Sequence, residues 1–183
     1  MKTQIIHPGK WLNMVGVEHP NNPGKLWEGV FRAGTGQVVG AVVENISHET
    51  FVLVEQFRPL VDARVIELVA GLVDPEMTPE EAILKEIREE TGYTGGQAHF
   101  LLTGPKSAGL TNEMTLDYYV QVSGNPGEQE LETSERGLIV LECHNSLVDL
   151  KRLLASEEKS GKLISPGVWA GFGKAMIDGY LKN

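Results

Sequence analysis

Three glutamates, Glu86, Glu89 and Glu90, stand at a spacing that could bring their carboxylates together. Steps of i, i+3 and i, i+4 place them on one side of a helix. Like charges so arranged repel, by roughly a few tenths of a kcal/mol per pair. A cation removes that cost. Hard oxygen ligands at this spacing suit Mg²⁺ or Mn²⁺, which keep part of their water shell and share the rest with phosphates. Taken alone, the triplet also fits the solvated acidic face of an ordinary helix.

The residues around the triplet carry start and stop signals for such a helix. Thr78 suits the N-cap, Pro79 the first helical position, and Glu81 completes a capping box. Gly92 ends the helix, because glycine enters the left-handed conformation without penalty. Ile83, Leu84, Ile87 and Thr91 fall on another side and can face a core. The spacing therefore predicts a short helix with an acidic stripe and an apolar one.

Gly71, followed after a fixed gap by Lys85-Glu86-Ile87-x-Glu89-Glu90-Thr91-Gly92-Tyr93, resembles the Nudix box. Two positions depart from it. Met77, with Glu76 before it, stands where the box has a Glu. Lys85 replaces the box Arg, which in that family forks onto a ligand Glu; Lys offers a flexible point charge instead. Upstream, Gln56-Phe57-Arg58-Pro59, Glu67-Leu68-x-Ala70-Gly71 and Trp27-Glu28 are similar to segments of the branch acting on ADP-ribose and nucleoside-diphosphate sugars. The resemblance implies metal bound by Glu86, Glu89, Glu90 and the Ala70 carbonyl, with Mg²⁺ expected and Mn²⁺ as the alternative. It also implies a homodimer in which N-terminal strands cross to the partner and help form the nucleotide site.

Physical roles follow for the flanking residues. The Trp27 indole offers a face for a base to stack on, or is a strand aromatic packed in a core. Glu28 is carried into the substrate site with it. Arg58 forks onto a phosphate or makes a surface ion pair. Glu67 is a neighbour of the ribose or phosphates. Ser107-Ala108-Gly109 matches a turn that has Pro at its centre in strict ADP-ribose hydrolases. Ala108 therefore points to a broader nucleoside-diphosphate-sugar hydrolase. Glu113 contacts substrate hydroxyls or metal waters, or is a loop acid. In this branch the catalytic base comes from a mobile loop before the last strand, here holding Glu128, Glu130, Glu132 and Glu135. Glu135, nearest the strand, is chosen ahead of Glu132, with Glu89 on the box helix as the other candidate.

Composition sets the bounds. At 183 residues the chain suits one domain with a proper core, 1–183, comprising an N-terminal β region over 1–36 and a Nudix core over 37–183. A net charge of −9 argues against a nucleic-acid surface. Cys143 is the single cysteine and reads as a small apolar strand residue. No apolar run reaches membrane-span length, and MKTQIIHPGKW has no signal-peptide core, so no membrane is expected and a cytoplasmic location is the default.

Along the chain, residues 1–36 are the least periodic, with turn chemistry at 19–24 and 34–36 and a strand at LWEGVFRAG between them. QVVGAVVEN and TFVLVEQF read as a hairpin, and VIELVAG as one short strand leading into the box. AHFLLTG, TLDYYVQVSG and GLIVLECH supply three more. Helices are expected from Asn145 to about Glu158, and after Ser165-Pro166 with Val168, Trp169, Phe172, Met176 and Tyr180. The fold class is α/β: a mixed sheet between helices, an α/β/α sandwich of Nudix type. The expected reaction is metal-dependent hydrolysis of the pyrophosphate of a nucleoside-diphosphate sugar, giving a nucleoside monophosphate and a sugar phosphate. The alternatives are a dedicated ADP-ribose pyrophosphatase and a catalytically silent nucleotide-sugar sensor.

Overall fold

A computed structural model describes residues 2–34 and 36–181; Thr35, inside the turn expected at 34–36, lies outside the described residues. The expected hairpin forms from β4 (Gln37–Asn45) and β5 (Thr50–Arg58). Asn45 shapes its turn, its Oδ1 accepting from the Ser47 N–H at 3.0 Å. The two strands pair only over Val43–Asn45 and then part. β7 (Val69–Leu72) takes the vacated edge of β4, and β6 (Ala63–Glu67) that of β5. The single strand expected at VIELVAG is thus two, broken at Leu68, because its halves serve different partners.

The rest of the sheet builds outward. β9 (Met114–Val122) lies parallel to β4 along its whole length, and β8 (Ala98–Pro105) pairs antiparallel with β9. β10 (Ile139–His144) covers the other edge of β5, and the two-residue β11 (Leu163–Ile164) runs parallel to β6. The sheet is mixed, as expected. Alternation along its strands sends side chains to opposite faces. Val39, Ala41, Val52, Val54, Tyr118 and Val120 pack with Ile83 and Ile87 of α1 (Pro79–Thr91). Val42, Phe51, Leu53 and Tyr119 pack against α2 (Leu147–Lys159) and α3 (Pro166–Ile177). Helices therefore cover both faces, which is the predicted sandwich.

The last helix corrects one expectation. Of its expected residues Val168 and Phe172 are buried, but Trp169 and Met176 are exposed. Gly171 and Ala175 fill the packed face beside Val168 and Phe172, and Tyr180 lies beyond the helix end and is exposed. A Cβ at Gly171 would crowd Leu68 and Val42, so small residues let α3 approach the sheet closely. Cys143 is half-buried on β10; burial first, then Asp149 and Glu142, push its thiol up to about 11, which fits a packing role.

Residues 1–36 hold more order than their sequence suggests. β1 (Thr3–His7), β2 (Leu12–Glu18) and β3 (Leu26–Arg32) form a separate antiparallel sheet. Only β3 was expected. Val15 is buried, while Ile5, Trp11, Leu12, Leu26 and Trp27 are exposed. Apolar residues thus point both ways, which erases the alternation that signals a half-buried strand. Among the described residues, no helix is long and apolar enough to cross a membrane.

Candidate active site

The acidic helix forms by the expected local rules. Thr78 Oγ1 accepts from the Glu81 N–H at 3.2 Å, and Glu81 Oε2 accepts from the Thr78 N–H at 2.8 Å. Gly92 ends α1 at φ 76°, its N–H donating to the Arg88 carbonyl. A Cβ there would also strike the carbonyl of Gly127. Helix end and following loop are therefore fitted to each other.

The acidic stripe is not a solvated face. Glu86 is 9% exposed and Glu90 4%, both turned towards β7. Gly71 makes room, since a Cβ on it would overlap the Glu86 carboxylate. Glu90 accepts from the Ala70 N–H at 3.3 Å. The loop after β9 then brings in a third carboxylate. Atoms of Glu86, Glu90 and Glu135 lie within 4.8 Å of one another. Burial, followed by Glu135, Glu89 and Glu132, pushes the Glu86 carboxyl up to about 7 against the pull of Lys85. Burial, Glu86 and Glu135 push Glu90 up to about 8, although the Ala70 N–H and Arg58 act the other way. Burying like charges is unfavourable without a counter-ion, and an all-oxygen donor set suits a divalent cation.

That loop is bonded to the box helix at several points. The Gly127 N–H donates to the Gly92 carbonyl at 2.8 Å, and the Glu130 N–H to the Glu89 carbonyl at 2.9 Å. Gln129 Nε2 donates to the Glu90 carbonyl at 2.5 Å. These bonds satisfy carbonyls that a helix end leaves open. Farther on, Arg64 donates to the Gly137 carbonyl at 3.0 Å, and Leu138 is buried in the α1-side core. Between the anchors, the Glu132 N–H donates to Glu135 Oε2 at 2.9 Å, orienting that carboxylate.

The cluster opens into a cavity of about 480 Å³ lined by Arg58, Glu67, Ala70, Glu86, Glu89, Glu113 and Glu135, among others. Arg58 and Glu67 form an ion pair at 2.6 Å. Glu113 is paired with Arg32 at 2.6 Å. Glu89 stands beside the cluster, 3.6 Å from Lys85 and 3.3 Å from Arg88. Lys85 also reaches Asp74 at 3.2 Å, so in place of the box Arg it bridges two carboxylates. Burial alone would depress its ammonium; the Asp74 hydrogen bond and the charges of Glu89, Asp74 and Glu86 outweigh it and hold the pKa above the ordinary range. Met77 is exposed and lies outside the cavity lining.

Trp27 and Glu28 are not brought to this cavity by their own chain. Trp27 is 55% exposed, and its Nε1 donates to the Gly109 carbonyl at 2.9 Å. With the Val30 N–H donating to the Leu110 carbonyl at 2.8 Å, this ties the Ser107-Ala108-Gly109 turn to β3. Trp27 and that turn line a second cavity of about 400 Å³.

Arg32, Asp74, Lys106 and Asp117 also line the main cavity and were not singled out in the sequence. Asp117 alone had left a signal, a lone charge inside the apolar strand MTLDYYVQV. The others sit at strand ends and turns, where charge is unremarkable.

A family model described as the NUDIX domain matches residues 34–162. The chain is 31% identical to an ADP-sugar pyrophosphatase of Mus musculus over 131 residues, 67% of this chain and 60% of that protein. It is 27% identical to an ADP-ribose pyrophosphatase of Bacillus subtilis over 156 residues, 84% and 80% of the two chains. A GDP-mannose pyrophosphatase of Salmonella typhimurium is 31% identical over 120 residues, 58% of this chain and 61% of its own. The alignments with the mouse and Salmonella proteins span about three fifths of those relatives' length.

Proposed function

This chain belongs to the Nudix family, and from that premise we propose that it hydrolyses the pyrophosphate bond of nucleoside-diphosphate sugars, releasing a nucleoside monophosphate and a sugar phosphate. The observation that carries the reading is the buried cluster of Glu86, Glu90 and Glu135, of which Glu86 and Glu135 line a cavity that also presents Arg58 and Arg32. Acids outnumber bases in that lining, so a diphosphate would be repelled unless cations accompanied it.

Glu86, Glu89, Glu90 and the Ala70 carbonyl would hold divalent metal, Mg²⁺ with Mn²⁺ as substitute. When bound, the metal neutralises phosphate oxygens and acidifies a nearby water. The protein's own groups do the rest. Glu135, oriented by the Glu132 N–H, takes the proton of the attacking water. Arg58 and Arg32, steadied by Glu67 and Glu113, direct positive charge towards the phosphates. Lys85 fixes Glu89 through its charge.

The chain acts as a homodimer in this reading. Exposed Ile5, Trp11, Leu12, Leu26 and Trp27 give the N-terminal sheet an apolar surface to cover, and a partner's strands would bring Trp27 and Glu28 to the substrate. Ala108 favours a range of sugars over ADP-ribose alone; the Bacillus subtilis relative's name keeps a dedicated ADP-ribose pyrophosphatase as the second reading.

The test is product release from ADP-ribose, from ADP-, GDP- and UDP-sugars, and from nucleoside triphosphates. Each is run with Mg²⁺, with chelator, and with Glu90→Gln. Metal-dependent cleavage of several sugars, lost in Glu90→Gln, is expected. Cleavage of ADP-ribose alone selects the second reading. Binding without turnover on any substrate overturns the enzyme and leaves a sensor.

A further inference from the structure

The main cavity continues past the carboxylate cluster to Lys106, Asp117, Ser165 and Gly167. There it meets a side pocket of about 290 Å³, which the same four residues line together with Thr115. The pocket is near the small end of ligand sites, roughly 300–1,000 Å³, and has room for a single ring. Its remaining walls, from Leu102, Pro105, Pro166 and Ala170 among others, are largely apolar.

The polar groups here break the pattern of their strand. Along β9, Tyr118 and Val120 face α1, while Tyr119 joins the core under α3. Thr115 and Asp117 share the parity of Tyr119 and so occupy positions that alternation assigns to core. They are 2% and 4% exposed. Among the described residues Thr115 Oγ1 has no hydrogen-bond partner, and the Asp117 carboxylate takes part in no side-chain hydrogen bond. Burial pushes the Asp117 carboxyl up, and Lys106 is the charge that pulls it back. Gly40, directly opposite in the ladder, leaves the space: a Cβ there would stand 2.5 Å from Asp117 Oδ1. Unpaired buried polar groups are costly, and native structures keep few of them without a purpose.

Position supplies the link to the chemistry. Asp117, Gly40 and Ala70 form one row across β9, β4 and β7. The Asp117 and Glu90 carboxylates sit on opposite faces of the sheet, and the cavity lined by both Asp117 and Glu86 joins the two sides. At about 4.8 Å per strand, the Asp117 backbone lies about 10 Å from that of Ala70, whose N–H holds Glu90. That is the reach from a diphosphate to the far hydroxyls of a sugar joined to it. Among the described residues the pocket's lining includes no aromatic side chain on which a base would stack.

Resting on the hydrolase reading above, we propose that Asp117, Thr115 and Lys106 form the subsite for the sugar's hydroxyls. Asp117 accepts from two neighbouring hydroxyls, Thr115 pairs with a third, and the Lys106 ammonium donates to a hydroxyl oxygen. The subsite thereby selects substrates by the sugar rather than by the base.

Calorimetric titration with glucose 1-phosphate, ribose 5-phosphate and inorganic phosphate, each with Mg²⁺, tests this without turnover. The wild type should bind at least one sugar phosphate at least tenfold more tightly than phosphate. Asp117→Ala and Asp117→Asn should erase that preference and leave phosphate affinity within twofold. Lys106→Met, at an exposed position, should cut the preference at least threefold and decides the matter if the Asp117 variants do not fold. The subsite is overturned if the wild type shows no preference, if the variants keep it, or if both affinities fall together. The hydrolysis panel reports separately. No cleavage of sugars with the preference intact overturns the hydrolase and keeps the subsite; cleavage of sugars by variants with wild-type selectivity overturns the subsite alone.

Discussion

The carboxylate cluster and the N-terminal sheet meet water in opposite ways, each against the usual rule. Glu86 and Glu90 are charges withdrawn from solvent, at 9% and 4% exposure, whereas Trp11 at 72% and Ile5 at 60% are apolar side chains left in it. Tight local devices hold the first region: a capping box, Gly71 beneath Glu86, and a loop stitched to the helix end. The second region has one buried apolar side chain in β2, Val15, and a few bonds to the 107–112 turn. Both are unfinished surfaces with different remedies. The cluster calls for a small cation that a rigid frame can grip; the sheet calls for a broad apolar cover.

Removing a carboxylate from the cluster should separate the regions most sharply. Glu86→Gln is expected to lower kcat by about 10²–10³-fold, the scale of losing one preorganised charge partner. Its metal-free melting temperature at pH 8 should rise, because a buried charge has gone. A variant with wild-type kcat would remove Glu86 from the metal site. Gly71→Ala should come next: the added Cβ displaces the Glu86 carboxylate, so Mg²⁺ should stop raising the melting temperature although the fold persists. Retained stabilisation by Mg²⁺ would show that the close packing is incidental.

The pH dependence of the metal-free protein follows from the raised carboxyls. Below about 4.5, the ordinary value, folded and unfolded chains both hold these protons. Between there and about 7 to 8, the folded state keeps protons on Glu86 and Glu90 that the unfolded state has released. These two groups therefore lower stability progressively as pH rises through that window, by about a few kcal/mol, and add nothing further above it. Thermal melts from pH 5 to 8 should show the decline in chelator, and Mg²⁺ should offset it. A slope unchanged in the Glu86→Gln, Glu90→Gln double variant would assign it to other groups.

The smallest effects should come from the sheet and the supporting charges. Trp27→Ala is expected to raise KM for a nucleotide sugar by about tenfold, the scale of one lost stacking contact, with kcat little changed. A fall in kcat with KM unchanged would place Trp27 outside substrate binding. Trp11→Gln should shift the mass measured by light scattering from dimer to monomer, and an unchanged mass would exclude that face from the interface. Lys85→Met should cost about tenfold in Mg²⁺ affinity, typical of a group that orients a ligand. Lys85→Arg should recover most of it.

The sequence by itself determined whatever depends on neighbours along the chain. The caps of α1, its two stripes, the β4–β5 hairpin and the strands that became β8, β9 and β10 were legible because each is written within a few residues. The fold class followed, and so did the convergence of Glu86 and Glu90. Tertiary structure decided what lies across the chain. It split VIELVAG at Leu68, because the parted hairpin offered two edges to fill. It put Gly171 and Ala175 rather than Trp169 and Met176 beside Val168 and Phe172 on the packed face of α3, because at Gly171 the helix comes close to Leu68 and Val42. It carried Glu135 to the box helix and set Asp117 beside Gly40 through the parallel register of β4 and β9. Neither pairing is readable from periodicity, since a strand's pattern gives the face a residue takes but not the strand that will lie beside it.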